Sequence, residues 1–277
     1  MNAVSVVENS SVNRNVSRTE FLDALRRLGV ANHSLVVVIS DLAAFGDLET
    51  SAQDATALRG YIECFQEIMS PYGTLVVPTF TYVRGGPGSA YVHEQTPSET
   101  GVLTEYLRSL PDSRRSLHPV FSFVAYGERK DELCDNASAH SYAGNSLPHR
   151  LIEANALVIG IGRSPHRGSF LIHVGEYFAG VPYRYTKELS IPVIKNGQNV
   201  ARAFYHYVKY ADSDIVWDTN RLVERLDAGG YLTFEPLGLS GIWAYRAKDL
   251  FTTTLNLLNR NVYGLLERPP TKTPWKR

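Results

Sequence analysis

Cysteine is scarce in this chain: Cys64 and Cys134 are the only two in 277 residues, and they match no zinc pattern and no CxxC redox pair. Cys64 sits in an apolar, helix-like run and reads as a small buried hydrophobe. Long apolar runs are missing too. None approaches the roughly eighteen residues of a membrane span, and the polar stretch Met1 to Arg14 lacks the apolar centre of a signal peptide. A cytoplasmic protein is expected, in which the sequon Asn136-Ala-Ser138 carries no meaning. Charge of one sign is also absent: Lys+Arg and Asp+Glu both total 28, so no overall field draws nucleic acid or a polycation. There is no GxSxG elbow, no Walker A loop and no kinase signature. Gly160-Ile-Gly162 lacks the third glycine of a dinucleotide fingerprint. No HExxH is present, so no metal is expected.

What is present is a core. Hydrophobic residues make up 44% of the chain, well outside the disordered class. Ser17-Arg-Thr-Glu20 is a capping box, and the amphipathic run Phe21, Leu22, Leu25, Leu28 behind it closes at Gly29. Leu35 to Ile39 and Thr74 to Thr81 are apolar runs of strand length, suited to burial on both faces. The polar turn Ser40 to Gly46 then falls at a strand's carboxyl end, where open α/β sheets bind ligands. A helix is expected over Ala55 to Met69, and another from the capping box Thr96-Pro-Ser-Glu99. Further strands are expected over Val120–Ala125, Ala156–Ile161 and Arg202–Tyr210, with helices over 219–228 and 245–258. The expected organisation is a loose tail over 1–16, a single domain over 17–268 and an extended tail over 269–277. The expected class is α/β, a mixed central sheet flanked by helices.

Chemistry concentrates in Gly168 to Phe178, which reads as a helix carrying His173 and Glu176 three residues apart on one face. A carboxylate in that position orients an imidazole and supports its conjugate acid, which suits a general base near neutral pH. Upstream, Ser116-Leu-His118-Pro-Val-Phe-Ser122 offers further polar groups, although a turn before a strand accounts for them as well. The loop Arg163-Ser-Pro-His-Arg167 places two guanidiniums beside the proposed base, an environment that suits an anionic ligand.

The common small N-acetyltransferase fold would show a Gln/Arg-x-x-Gly-x-Gly/Ala loop for acetyl-CoA, and this chain has none. Five other segments occur in a telling order: Ser40-Asp-Leu-(x)3-Gly46, Gly73-Thr-Leu-Val-Val-Pro-Thr-Phe80, Thr96-Pro-Ser-(x)2-Gly101-(x)3-Glu105, Arg115-Ser-x-His-Pro-(x)2-Ser122 and His173-(x)2-Glu176. In these segments the chain resembles the aminoglycoside 3-N-acetyltransferase family. The resemblance implies transfer of an acyl group from acyl-CoA or acetyl-CoA, without a metal, to an amine on a sugar or aminocyclitol. It implies His173 as base with Glu176 behind it; in the mechanism, backbone N–H groups or a hydroxyl such as Ser122 would stabilise the developing oxyanion. Ser40, Leu42, Gly46, Ser98 and His118 would contact CoA; Thr79 is expected at the acceptor, and Arg163 and Arg167 are expected there on their charge rather than on the resemblance. The family's turn usually carries a second serine where this chain has Asp41, and Asp47 to Ser51 replace an expected glycine pair.

Family members acting on aminoglycosides are generally acidic, whereas this chain is neutral with arginines near its base. The expected acceptor is therefore an amino sugar carried on a nucleotide, of the dTDP or UDP type used for surface polysaccharide. Aminoglycoside 3-N-acetylation, as in antibiotic resistance, is the alternative. A serine-type thioester hydrolase and a non-catalytic CoA-binding module are the remaining readings. The expected partners are the amino sugar and CoA, with no nucleic acid, and a homo-oligomer is left open.

Overall fold

The computed structural model describes residues 15–31, 34–49, 57–81, 89–167 and 169–276. The strands that position the site are β1 (Leu35–Ser40), β2 (Thr74–Pro78), β3 (Arg114–Arg115), β4 (Phe123–Gly127), β5 (Leu157–Ile161), β6 (Arg184–Glu188), β7 (Tyr205–Lys209), β8 (Thr233–Glu235) and β9 (Ile242–Arg246). The helices around them are α1 (Arg18–Arg27), α2 (Ala57–Met69), α3 (Val102–Ser109), α4 (Leu147–Glu153), α5 (Ile172–Ala179), α6 (Asn220–Ala228) and α7 (Ala247–Arg260).

Seven of the strands form one mixed sheet in the order β8-β9-β5-β1-β2-β4-β3. Its centre is parallel, β1 pairing with β2 and β5 in register Val36↔Leu75 and Val37↔Val158. Both flanks are antiparallel, through β2–β4 and β9–β5. The mixed α/β architecture expected from the sequence is the one observed.

The unbroken apolar run of β1 is explained by its two cores. Val36 and Val38 pack with Phe21, Phe65 and Leu103, under α1, α2 and α3. Leu35, Val37 and Ile39 face the other way, among Leu151, Val174 and Leu257 from α4, α5 and α7. Alternate side chains of a strand leave on opposite faces, so a strand covered by helices on both needs no polar position.

The expected capping box holds, and the tails differ from expectation. Ser17 caps α1 through a complete capping box with Glu20. The last two residues of the expected N-terminal tail, Asn15 and Val16, pair with Asp47 and Leu48, while residues 1–14 lie outside the described residues. The expected C-terminal tail is docked: Asp214 accepts from the backbone of Thr271 and Lys272, and Trp275 packs against Tyr210 at 5.6 Å. Among the described residues no helix is long and apolar enough to cross a membrane.

Other expectations are corrected. Thr96-Pro-Ser-Glu99 does not start a helix: the Thr96 hydroxyl accepts from the Val92 N–H, closing a turn, and Ser98 bonds to Thr100 and Thr104. α3 begins later, after Gly101, whose φ of +133° gives glycine its advantage there. β9 departs from expectation as well, since its last residues, Tyr245 and Arg246, fall where the sequence predicts the start of a helix. Its alternation gives the physical reason for a strand, with Ile242 and Ala244 in one core and Trp243 and Tyr245 in the other. Gly160 of β5 serves this contact, since a Cβ there would sit 2.0 Å from the Trp243 indole.

Three histidines buried by this architecture couple folding to pH. Burial pushes His93 down to about 4, with Lys195 and Arg115 adding to it. Burial also takes His118 to about 4 and His206 to about 3. In the unfolded chain each would titrate near 6.5, so between that value and about 4 the unfolded state binds more protons. The stabilisation is therefore complete above about pH 6.5 and is lost as the pH falls, at up to about 1.4 kcal/mol per pH unit for each histidine. Urea midpoints measured from pH 7.5 to 4.5 should decline steeply, and His118→Asn should flatten the decline. A midpoint that holds steady across this range would contradict the assignment.

Candidate active site

The carboxyl ends of β1, β2 and β5 open into a cleft of about 720 Å³. That is the end of a parallel sheet where strand ends and following loops leave room for ligands. Ser40 lies at the tip of β1, Arg163 and His166 follow β5, and His173 stands in the first turn of α5. Leu222, Val223 and Leu226 of α6 give the cleft an apolar lining.

The His173–Glu176 pair is assembled as its spacing implies. Nδ1 of His173 lies 2.6 Å from Oε2 of Glu176. An ionised carboxylate only accepts, so Nδ1 carries the proton and Nε2 is the nitrogen left for chemistry. Glu176 is fully buried, whereas the His173 side chain keeps 21% of its surface exposed. The hydroxyl of Tyr183 donates to the second carboxylate oxygen at 2.9 Å.

Arg184 completes the group. Its Nε is 2.8 Å from Glu176 Oε2, forming a buried ion pair. Its Nη2 lies 3.0 Å from Nδ1 and 3.4 Å from Nε2 of His173, near both ring nitrogens at once. A donor in the ring plane could approach only one of them, so the guanidinium lies across the ring face. It is fixed there by a bond from Nη1 to the Tyr207 carbonyl and by the Trp217 ring, 4.9 Å away. Burial first, and the charge of Arg184 second, hold the His173 imidazole below its ordinary value, while Glu176 opposes them. The ring is therefore neutral and able to accept a proton at neutral pH.

The other expected site residues divide. Ser40 and Arg163 line the cleft with His173. Ser98 stands one layer behind it, bonded to Thr100 and Thr104, which do line it. Thr79 and Ser122 do not reach it: both are fully buried, and Ser122 donates to the Thr79 carbonyl while accepting from Arg115 Nε. They tie the end of β2 to the segment before β4, and the Ser122 hydroxyl is engaged on both sides.

His118 is likewise consumed, its Nδ1 accepting from the Val120 and Phe121 N–H groups while Nε2 faces the Tyr205 carbonyl. Leu42 and Gly46 belong to a helical turn after β1. Leu42 packs on the core, and the buried Gly46 carbonyl accepts from Tyr61. Asp41, the departure in that turn, is exposed and caps it by accepting from the Ala44 N–H. The backbone of Arg167 ends a short 3-10 turn, and its side chain lies outside the described residues.

Sequence reasoning missed Arg184, Tyr183 and Trp217. Gly180, at the left-handed C-cap of α5, turns the chain back so that Tyr183 and Arg184 meet Glu176. That glycine was the available signal. Trp217 is brought to 5.6 Å from the His173 ring by tertiary structure alone.

Comparison with known proteins bears on this geometry. The family model described as aminoglycoside 3-N-acetyltransferase matches residues 37–259. Aminoglycoside N(3)-acetyltransferase IV of Salmonella sp is 26% identical over 256 residues, covering 91% of both chains. The SPbeta prophage-derived aminoglycoside N(3')-acetyltransferase-like protein YokD of Bacillus subtilis is 24% identical, covering 72% of this chain and 77% of its own. Among solved structures, AAC-IIIb bound to CoASH superposes with a TM-score of 0.73 at 18% identity, covering 89% of this chain and 97% of that one. A mutant of AAC(3)-IVa in complex with a gentamicin gives 0.75 at 21%, covering 94% and 95%.

These findings overturn the nucleotide-linked acceptor and the polysaccharide role expected with it. The family model and the curated relatives point to the alternative, aminoglycoside 3-N-acetylation. The reasoning failed because a net charge averages the whole surface and does not report the lining of one cleft. With the match extending through both cores and the His173 cleft, the chain belongs to the aminoglycoside 3-N-acetyltransferase family and is a CoA-dependent N-acyltransferase.

Proposed function

We propose that the protein acetylates the 3-amino group of an aminoglycoside, taking the acetyl group from acetyl-CoA, within one acyltransferase domain spanning about residues 17–268. The observation that carries this reading is the His173–Glu176 contact of 2.6 Å at the edge of the cleft. Family membership and the named activity of the relatives support the acceptor class.

Acetyl-CoA supplies an activated thioester, and the protein manages a proton. An aminoglycoside amine is largely protonated near neutral pH and is nucleophilic only once that proton is gone. That first proton passes to solvent, and Nε2 of His173 takes the second, which the nitrogen sheds as it attacks the thioester carbonyl in a ternary complex. Glu176 holds the ring in the tautomer that leaves Nε2 free, and its charge supports the imidazolium that forms. Once the C–S bond breaks, the imidazolium can return the proton to the thiolate, which leaves as CoASH. Ser40 and Arg163, lining the cleft with His173, are the side chains proposed to contact the two substrates.

The test is a panel of 3-amino aminoglycosides and nucleotide-linked amino sugars, each incubated with acetyl-CoA. Thiol release and product mass are read in parallel. Acetylated aminoglycoside is the expected product. Release of thiol without any acylated amine would show a thioester hydrolase instead.

A further inference from the structure

We propose that Arg184 is a positioning residue for acyl transfer, clamping Glu176 beneath His173 and opposing a second proton on the imidazole through its own charge. The inference rests on the reading of His173 as the base.

Every neighbour of the ring bears on this. Glu176 lies on the same helix, and Tyr183 and Arg184 come from the segment at the start of β6. His206 and Tyr207 come from β7, Tyr142 from the loop before α4, and Trp217 from the segment before α6. Burial keeps His206 neutral and pushes the Tyr183 and Tyr207 phenols up, so none of these three is charged at neutral pH. Arg163, His166 and Glu99 share the cleft. Glu176 and Arg184 are charged groups in direct contact with the ring.

Their effects oppose one another. A carboxylate alone would make the imidazole more basic and leave it protonated over much of the neutral range. Arg184 shares that carboxylate and adds a like charge across the ring face, 3.0 and 3.4 Å from its nitrogens. Glu176 can then fix the tautomer without capturing a proton for the base. The amine's proton thus meets an empty Nε2.

The experiment compares wild type, Arg184→Gln and Arg184→Lys. The His173 ring is followed by NMR titration, assigned by the resonance lost in His173→Gln, alongside pH profiles of kcat/KM. Arg184→Gln should titrate at higher pH than wild type and lose roughly fivefold more kcat/KM between pH 8 and pH 6. Arg184→Lys, which keeps the charge, should track wild type.

An unmoved ring titration in folded Arg184→Gln would overturn the proposal. So would a wild-type ring titrating above the ordinary histidine value, a measurement that needs no variant. A moved ring titration with an unmoved activity profile would instead remove His173 as the base while leaving the effect of Arg184 intact.

Discussion

Replacing His173 by alanine is expected to lower kcat by about 10²–10⁴-fold, the usual contribution of a positioned general base. Binding of CoA should be nearly unchanged, because His173 meets the acceptor amine rather than the body of the cofactor. The distinction follows from geometry: Glu176 holds the ring at Nδ1, Arg184 crosses its face, and His173 lines the cleft. Loss of the ring leaves the cleft's volume and the apolar wall of α6 in place. The loss in rate should also shrink as the pH rises, since hydroxide then does part of the deprotonation. Steady-state kinetics from pH 6.5 to 9.5, with CoA affinity measured by calorimetry, separate the two effects. Wild-type turnover in the variant would remove His173 from the mechanism, and a collapse of CoA affinity would make it a binding residue.

The parts of the site legible in the sequence are those written in local spacing. His173 and Glu176 lie one helical turn apart, so α5 alone brings them together, whatever the rest of the chain does. The buried strands β1 and β5 were legible for a related reason, since a continuous apolar run of that length fits a strand covered on both faces. Arg184 was hidden because eleven residues and a chain reversal separate it from His173, and no pattern in a charged segment such as Arg-Tyr-Thr-Lys-Glu says which face is buried. Ser122 and His118 misled for the opposite reason. A motif places residues in order along the chain but not in depth, and both are spent on backbone bonds behind the cleft. Aligned motifs thus identified the family while only some of their polar residues reach the cleft.

Substituting leucine for Glu176 is expected to cost about 3–5 kcal/mol of stability, a large share of the roughly 5–15 kcal/mol that holds a typical domain together. The carboxylate has no exposed surface and serves three partners: His173, Tyr183 and Arg184. Arg184 is itself only 8% exposed in its side chain, so without Glu176 its charge is buried opposite an apolar group. The penalty arises from that stranded charge rather than from the lost packing of Glu176. Removing both members should therefore recover much of it: Glu176→Leu/Arg184→Met should unfold at a higher urea concentration than Glu176→Leu alone. Activity should not follow stability back, because the double variant still lacks the group that fixes the His173 tautomer. A double variant no more stable than Glu176→Leu would show that the carboxylate stabilises through Tyr183 and His173 instead. In either case the pair of measurements separates what Glu176 does for the fold from what it does for the base.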